Sequence, residues 1–226
     1  MTRIFEDEKL RNRKGVFRDR TDAGRRLGKS LSRSILPAGI VLAIPAGGVP
    51  VALEISHRLR LPMDLLIVRK MQIPDNPEAG FGAVGPDGEV IFNENLMKKL
   101  DLTSQQIRMQ VEKTQRVIEE RNRVYRAGRP FPSLEDLPGV ILVDDGLASG
   151  FTVIAAVRFL KKKGGLPILV AVPTSPEDTL RLLLPLADEI HCPNVRTSYP
   201  FAVADAYRNW YDLPDTEVMS LVGEGR

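Results

Sequence analysis

The sequence predicts an α/β protein built on a twisted, mainly parallel sheet flanked by helices. Three observations carry that prediction. Short apolar runs recur without the alternation of a half-exposed strand, helical stretches separate them, and two of the runs lead straight into glycine-containing loops that open a helix. Unpatterned apolar strands are what a sheet covered on both faces requires. Strand, helix, strand in repetition gives parallel neighbours joined by right-handed crossovers.

The strands are read at 40–44, 64–68, 140–143 and 168–172, with 189–191 a weaker fifth, and helices at about 51–60, 151–163 and 177–186. The stretch from about 71 to 138 breaks this rhythm. Phe81-Gly82-Ala83-Val84 and Glu89-Val90-Ile91-Phe92 flank Gly85-Pro86-Asp87-Gly88, which reads as a hairpin with a four-residue turn. A long helix follows at about 103–127, with Ile107, Val111, Thr114, Ile118 and Tyr125 along one stripe. Thr103 and Gln106 form a capping box at its start, and Gly128, Pro130 and Pro132 end it.

The 226 residues suit one domain, with 43% hydrophobic content to fill its core and 27% charged residues to solvate it. No apolar run approaches the ~18 residues of a membrane span, and the charged start MTRIFEDEKLRNRKG is not a secretory signal. The sole cysteine, Cys192, cannot form an internal disulfide, so a reducing cytoplasm is the expected setting. The formal net charge is a mild +3. The basic stretch Arg108 to Arg129 is interleaved with Glu112, Glu119 and Glu120, and reads as solvated helix surface, as does Lys161-Lys162-Lys163. Neither run has the aromatics of a stacking platform, so no nucleic-acid partner is expected. His191 and Cys192 have no second ligand pair for zinc, and His57 reads as a surface residue.

The most informative stretch is VILVDDGLASGFTVIAAV, Val140 to Val157: an apolar strand, a polar loop, then a helix. Such a turn aims backbone N–H groups and a helix N-terminus into one concavity suited to phosphate. Gly146 and Gly150 permit the tight backbone, and Ser149 and Thr152 add hydroxyl donors. Asp144 and Asp145 would repel a bare phosphate, yet carboxylates accept hydrogen bonds from vicinal ribose hydroxyls. Diol at the strand end and phosphate at the helix start make a 5-phosphoribose footprint. The absence of Gly-Lys-Ser/Thr excludes a Walker loop.

VILVDDGLASGFT, residues 140–152, resembles the signature of the type I phosphoribosyltransferases: apolar strand, two acids, small residues, then Thr or Ser, Gly, any residue and Thr. Glu78-Ala79-Gly80-Phe81-Gly82-Ala83, with the order from Phe17-Arg18-Asp19-Arg20-Thr21-Asp22-Ala23-Gly24 to Tyr207, is similar to a bacterial and archaeal branch of that family along nearly the whole chain. The resemblance implies a core at about 21–191, a lid or insertion within about 71–138, and a hood from about 192–226 with the N-terminal segment. It implies phosphoribosyl pyrophosphate and a nucleobase-like acceptor as substrates, Mg²⁺ as cofactor, and allows a homodimer. Residues 144–152 (Asp144, Asp145, Gly146, Leu147, Ala148, Ser149, Gly150, Phe151 and Thr152) would bind the phosphoribosyl group. Asp144 and Asp145 would meet the metal through ribose or water, and Asp145 is the candidate general base. Phe151, in the variable position, would shape a wall or pack under the loop.

The resemblance also implies a pyrophosphate loop after the first core strand, here Ala46, Gly47 and Gly48, with Ala46 where relatives often carry a basic residue and where a cis non-proline bond is common. Arg69 and Lys70, at the end of the next strand, are the candidate catalytic cations, and 71–82 the candidate mobile lid. In the hood, 192–212, Tyr199 and Phe201 are the candidate base platform. The alternative is a non-catalytic sensor of phosphoribosyl compounds or nucleotides; Ala46 favours that reading, while Arg69, Lys70 and the lid favour catalysis.

Overall fold

The computed structural model describes residues 2–74 and 76–224, with residues 76–79 described by their backbone only. In chain order the elements are β1 (Arg3–Phe5), α1 (Arg20–Leu31), β2 (Ile40–Ala43), α2 (Gly48–Leu59), β3 (Met63–Leu65), β4 (Arg69–Ile73), β5 (Asn76–Val84), β6 (Val90–Phe92), α3 (Glu94–Met97) and α4 (Ser104–Arg126). There follow β7 (Val140–Val143), α5 (Phe151–Lys163), β8 (Ile168–Ala171), β9 (Thr174–Pro176), α6 (Glu177–Leu183), β10 (Glu189–His191), β11 (Asn194–Arg196) and α7 (Asp215–Glu224).

The main sheet has six strands in the order β1-β10-β8-β7-β2-β3, every pairing parallel. Because side chains alternate across a strand, Ile40, Leu42, Val140, Leu142, Ile168 and Val170 pack with α5 on one face. Val41, Ala43, Ile141, Val143, Leu169 and Ala171 pack with α2 and α7 on the other. Both faces are therefore dry, which is why these strands read as unbroken apolar runs. From β2 the chain steps outward to β3, whereas from β7 it steps the opposite way through β8 to β10. The sheet order reverses between β2 and β7, so the crevice beyond their C-terminal ends is where such folds bind ligands.

Three expectations change. The strand expected at 64–68 ends at Leu65; Leu66, Ile67 and Val68 are buried without ladder partners, and the chain then crosses into a separate antiparallel sheet, β4-β5-β6. Arg69 and Lys70 thus open β4 rather than close a core strand. The N-terminal segment divides: Arg3–Phe5 forms β1 at the sheet edge, while Asn12, Gly15 and Phe17 pair with the expected hood residues 195–208. Nor is the long helix wholly solvated: Arg126 is buried in a two-pronged pair with Asp64 (2.9 and 3.0 Å), and Arg121 is only 18% exposed. The helix otherwise starts as expected, with Thr103 and Gln106 capping each other's backbone N–H.

Candidate active site

The two glycine loops leave adjacent strands at the crevice and interlock. Gly47 has ordinary helical φ and ψ, so its lack of a side chain answers a different need: a Cβ there would stand 1.8 Å from an Asp145 carboxylate oxygen. Gly48 similarly sits against the Val143 carbonyl, 2.8 Å from where its Cβ would be. A cavity of about 840 Å³ opens over this junction. Its wall combines Ala46 and Gly47, Asp145 to Thr152 except Leu147, Arg69 and Lys70, Phe201 to Ala204, and Arg20, Arg121, Trp210, Asp212 and Leu213.

The loop after β7 gathers unspent backbone amides at the cavity wall. Gly150 adopts a left-handed conformation (φ 77°) at the start of α5. The amides of Ala148, Ser149, Gly150, Phe151 and Thr152 donate to no carbonyl or side chain among the described residues, whereas the Leu147 amide is spent on the Thr174 carbonyl (2.9 Å). Phe151 both lines the cavity and packs on the core. The loop after β2 offers fewer donors than expected. The Pro45–Ala46 bond is cis, Ala46 and Gly47 face the cavity, and the Gly48 amide turns inward to the Ile44 carbonyl (3.1 Å).

The acidic pair is asymmetric. Burial, and then the Asp145 charge, hold the Asp144 carboxyl well above the usual carboxylate range. Asp145 is also raised by burial, against the pull of Arg20. Arg20, like Arg121, is a wall residue that sequence reasoning missed. It is buried near the start of α1, donates from Nε to Asp145 Oδ2 (2.8 Å) and from Nη1 to the Tyr211 carbonyl (2.8 Å), and lies 3.9 Å over the Trp210 ring. Tyr207 donates its hydroxyl to the Asp145 carbonyl. The hood is thereby tied to the acidic pair through residues distant in sequence.

Of the residues singled out from sequence, Asp145, Gly146, Ala148, Ser149, Gly150, Phe151, Thr152, Ala46, Gly47, Arg69, Lys70 and Phe201 share one cavity wall. Asp144, Leu147, Gly48 and Tyr199 stand outside it. Leu147 is 2% exposed and faces the core, while Tyr199 is 70% exposed. Trp210 takes the aromatic place in the wall that Tyr199 was expected to fill. Part of the expected lid falls outside the described residues: Asp75 entirely, and the side chains of 76–79.

Residues 21–183 match the family model described as phosphoribosyl transferase domain. The chain belongs to that family. Its phosphoribosyl transferase relatives include the Mycobacterium tuberculosis H37Rv protein named "Putative phosphoribosyl transferase Rv0571c", 36% identical over 208 residues. The alignment covers 92% of this chain and 46% of that one, so the chain spans about half the length of the curated relatives it matches. The corresponding protein of strain CDC 1551, MT0597, matches equally. Among solved structures, TT1426 from Thermus thermophilus superposes with a TM-score of 0.71 at 32% identity, covering 91% of this chain and 97% of its own. The fold is thus shared with TT1426 across nearly the whole chain. No helix among the described residues is long and apolar enough to cross a membrane.

Proposed function

We propose that this chain transfers the 5-phosphoribosyl group of phosphoribosyl pyrophosphate to a ring nitrogen of a nucleobase-like acceptor, with release of pyrophosphate. The observation that carries the reading is the one cavity in which an amide cradle, Asp145, a second glycine loop and the cations Arg69 and Lys70 meet, among four basic side chains. The amides of 148–152 hold the 5-phosphate, Asp145 takes the ribose hydroxyls, and Ala46 and Gly47 approach the pyrophosphate. Gripping a ribose at both ends fixes its anomeric carbon against an incoming nitrogen, which is catalysis by positioning. Asp145 Oδ2 is shared with Arg20, leaving Oδ1 for the diol. Arg69 and Lys70 stabilise charge gathering on the leaving group, and Phe201 and Trp210 offer π faces to a flat acceptor.

The donor set suits Mg²⁺. Asp145 offers a hard oxygen at the cavity wall and, with Asp144 behind it, would meet the ion through ribose hydroxyls or water. That fits an ion that keeps its waters and completes its shell with substrate oxygens. When bound, Mg²⁺ supplies charge neutralisation on pyrophosphate. Ala46, in the place of a basic residue, favours the second reading, a non-catalytic sensor of phosphoribosyl compounds or nucleotides.

Incubation with phosphoribosyl pyrophosphate, Mg²⁺ and a pool of bases, followed by mass spectrometry, tests the reading: a new nucleotide and stoichiometric pyrophosphate are expected. Binding of phosphoribosyl pyrophosphate without turnover on any base would favour the sensor. Replacing Asp144 and Asp145 together by Asn is expected to weaken phosphoribosyl pyrophosphate far more than inorganic phosphate, since only the former carries a diol. Equal weakening would refute the division of labour between acids and amides.

A further inference from the structure

Arg69, on β4, and Arg121, on α4, meet at the cavity wall from two elements of the inserted segment. Their charges are poorly neutralised. The nearest acid to Arg121 is Asp215, at 3.8 Å, too far for a good hydrogen bond, and Asp215 is already taken by the Tyr125 hydroxyl. Arg121 stacks over the Tyr125 ring at 5.6 Å, while its Nη1 is buried with no hydrogen-bond partner among the described residues. Arg69 is half-buried and has no ion pair or side-chain hydrogen bond among the described residues; burial, and then the Arg121 charge, pull its pKa below the usual arginine value. Two half-buried guanidiniums that share one carboxylate, itself hydrogen-bonded by Tyr125, burden the fold, and the orphaned N–H of Arg121 does so further. The arrangement makes sense if an anion completes it.

We infer that Arg69 and Arg121 form a two-guanidinium subsite for an oxyanion, a carboxylate or phosphoryl group carried by a reactant in the cavity. Guanidinium forks suit planar or tetrahedral oxyanions because they give paired, directional hydrogen bonds. The subsite is built from the inserted segment beside α7, whereas the amide cradle belongs to the loop after β7. That position favours an acidic group on the acceptor over the 5-phosphate of the donor; the donor's pyrophosphate is the other source of the same chemistry. The inference rests on the transferase reading for the identity of the reactants, but not for the existence of the subsite.

Binding assays separate the two. Trp210, the only tryptophan of the chain, lines the cavity and reports occupancy by fluorescence, with calorimetry as a check. The probes are ribose 5-phosphate, inorganic pyrophosphate, and the matched pair pyridine-3-carboxylate and pyridine-3-carboxamide. Arg121→Gln is expected to weaken pyrophosphate or the carboxylate by about tenfold or more, while ribose 5-phosphate and the carboxamide change less than about twofold. Loss confined to the carboxylate assigns the subsite to the acceptor; loss confined to pyrophosphate assigns it to the donor. Arg121→Lys, which keeps the charge but not the fork, is expected to lie between, and Arg69→Gln to repeat the pattern if Arg121→Gln folds poorly. Unchanged binding of all probes, or equal loss of ribose 5-phosphate, overturns the subsite, as does a parent protein with no affinity for either pyrophosphate or the carboxylate. A parent that binds these anions but transfers no phosphoribosyl group sinks the transferase reading and leaves the subsite standing.

Discussion

Removing the Arg20 guanidinium while keeping its apolar stem, as in Arg20→Met, tests how the acidic pair is tolerated at all. The arginine side chain is 7% exposed and that of Asp145 15%, so the substitution strands a carboxylate that water reaches poorly. Breaking a buried pair from one side costs about 3–5 kcal/mol. The lower half of that range applies, because Asp145 retains some exposure and its raised pKa lets it shed charge by taking a proton. Losing the contact with Trp210, at 3.9 Å, adds about 1 kcal/mol. The expected total is about 4–5 kcal/mol in urea unfolding, or roughly 8–20 °C in Tm for a chain of this size. Most of the loss should vanish in Arg20→Met/Asp145→Asn, with a coupling energy of about 2–3 kcal/mol. The penalty should also be smaller at pH 5 than at pH 8, since without Arg20 the carboxyl protonates more readily. A coupling energy below about 0.5 kcal/mol, or a penalty independent of pH, would refute the reasoning.

Two further predictions concern residues around this clamp. Gly47→Ala fits the local backbone but drives a methyl group onto Asp145, so it should cost about 1–3 kcal/mol and weaken phosphoribosyl pyrophosphate by about tenfold or more; calorimetry showing parental affinity would exclude the close approach. Fully buried His191 sits between Ser30 Oγ (2.8 Å from Nδ1) and Glu189 Oε2 (3.2 Å from Nε2), and burial holds its pKa below the ordinary value. The unfolded chain therefore takes up a proton first, and stability should fall as pH drops below about 6.5, by at most ~1.4 kcal/mol per pH unit from this group. His191→Gln should remove that component, and identical urea midpoints against pH for the parent and variant between pH 7.5 and 5 would rule it out.

What the sequence disclosed and what it hid divide along physical lines. β2, β7 and β8 are buried on both faces, so burial wrote itself into composition, and the loop after β7 carries its acids and glycines contiguously. The same signal misled at 66–68, because burial makes a segment apolar whether or not it pairs with a neighbour. β1 is three residues long with two exposed, too short to leave a pattern. α1 was obscured by its charges and by Gly24 and Gly28, which look like helix breakers. They are there because α2 packs close: a Cβ on Gly24 would come within 2.6 Å of the Val51 carbonyl. In the structure the helix is capped by Asp19, whose side chain accepts from the Asp22 amide at 2.8 Å. Arg20 and Arg121 could not be recognised as site residues, for a charged side chain in a basic stretch gives no sign that the fold will bury it. Arg20 finds its partner 125 positions away.

The joining of Arg20 to Tyr211, and of β1 to β10, has a consequence for how the molecule comes into being. These contacts close most of the chain into a loop, so they form only after the entropy of bringing distant segments together has been met. On the ribosome β2, β3 and β7 can pair while the hood is still unmade, and Arg20 then has neither the Tyr211 carbonyl nor the Trp210 ring to hold it. The acidic pair acquires its full clamp last. A nascent chain stalled before residue 207 should therefore bury much of its sheet while Arg20 stays unclamped, and protection of Arg20 from chemical modification should arrive abruptly as the last aromatic residues emerge.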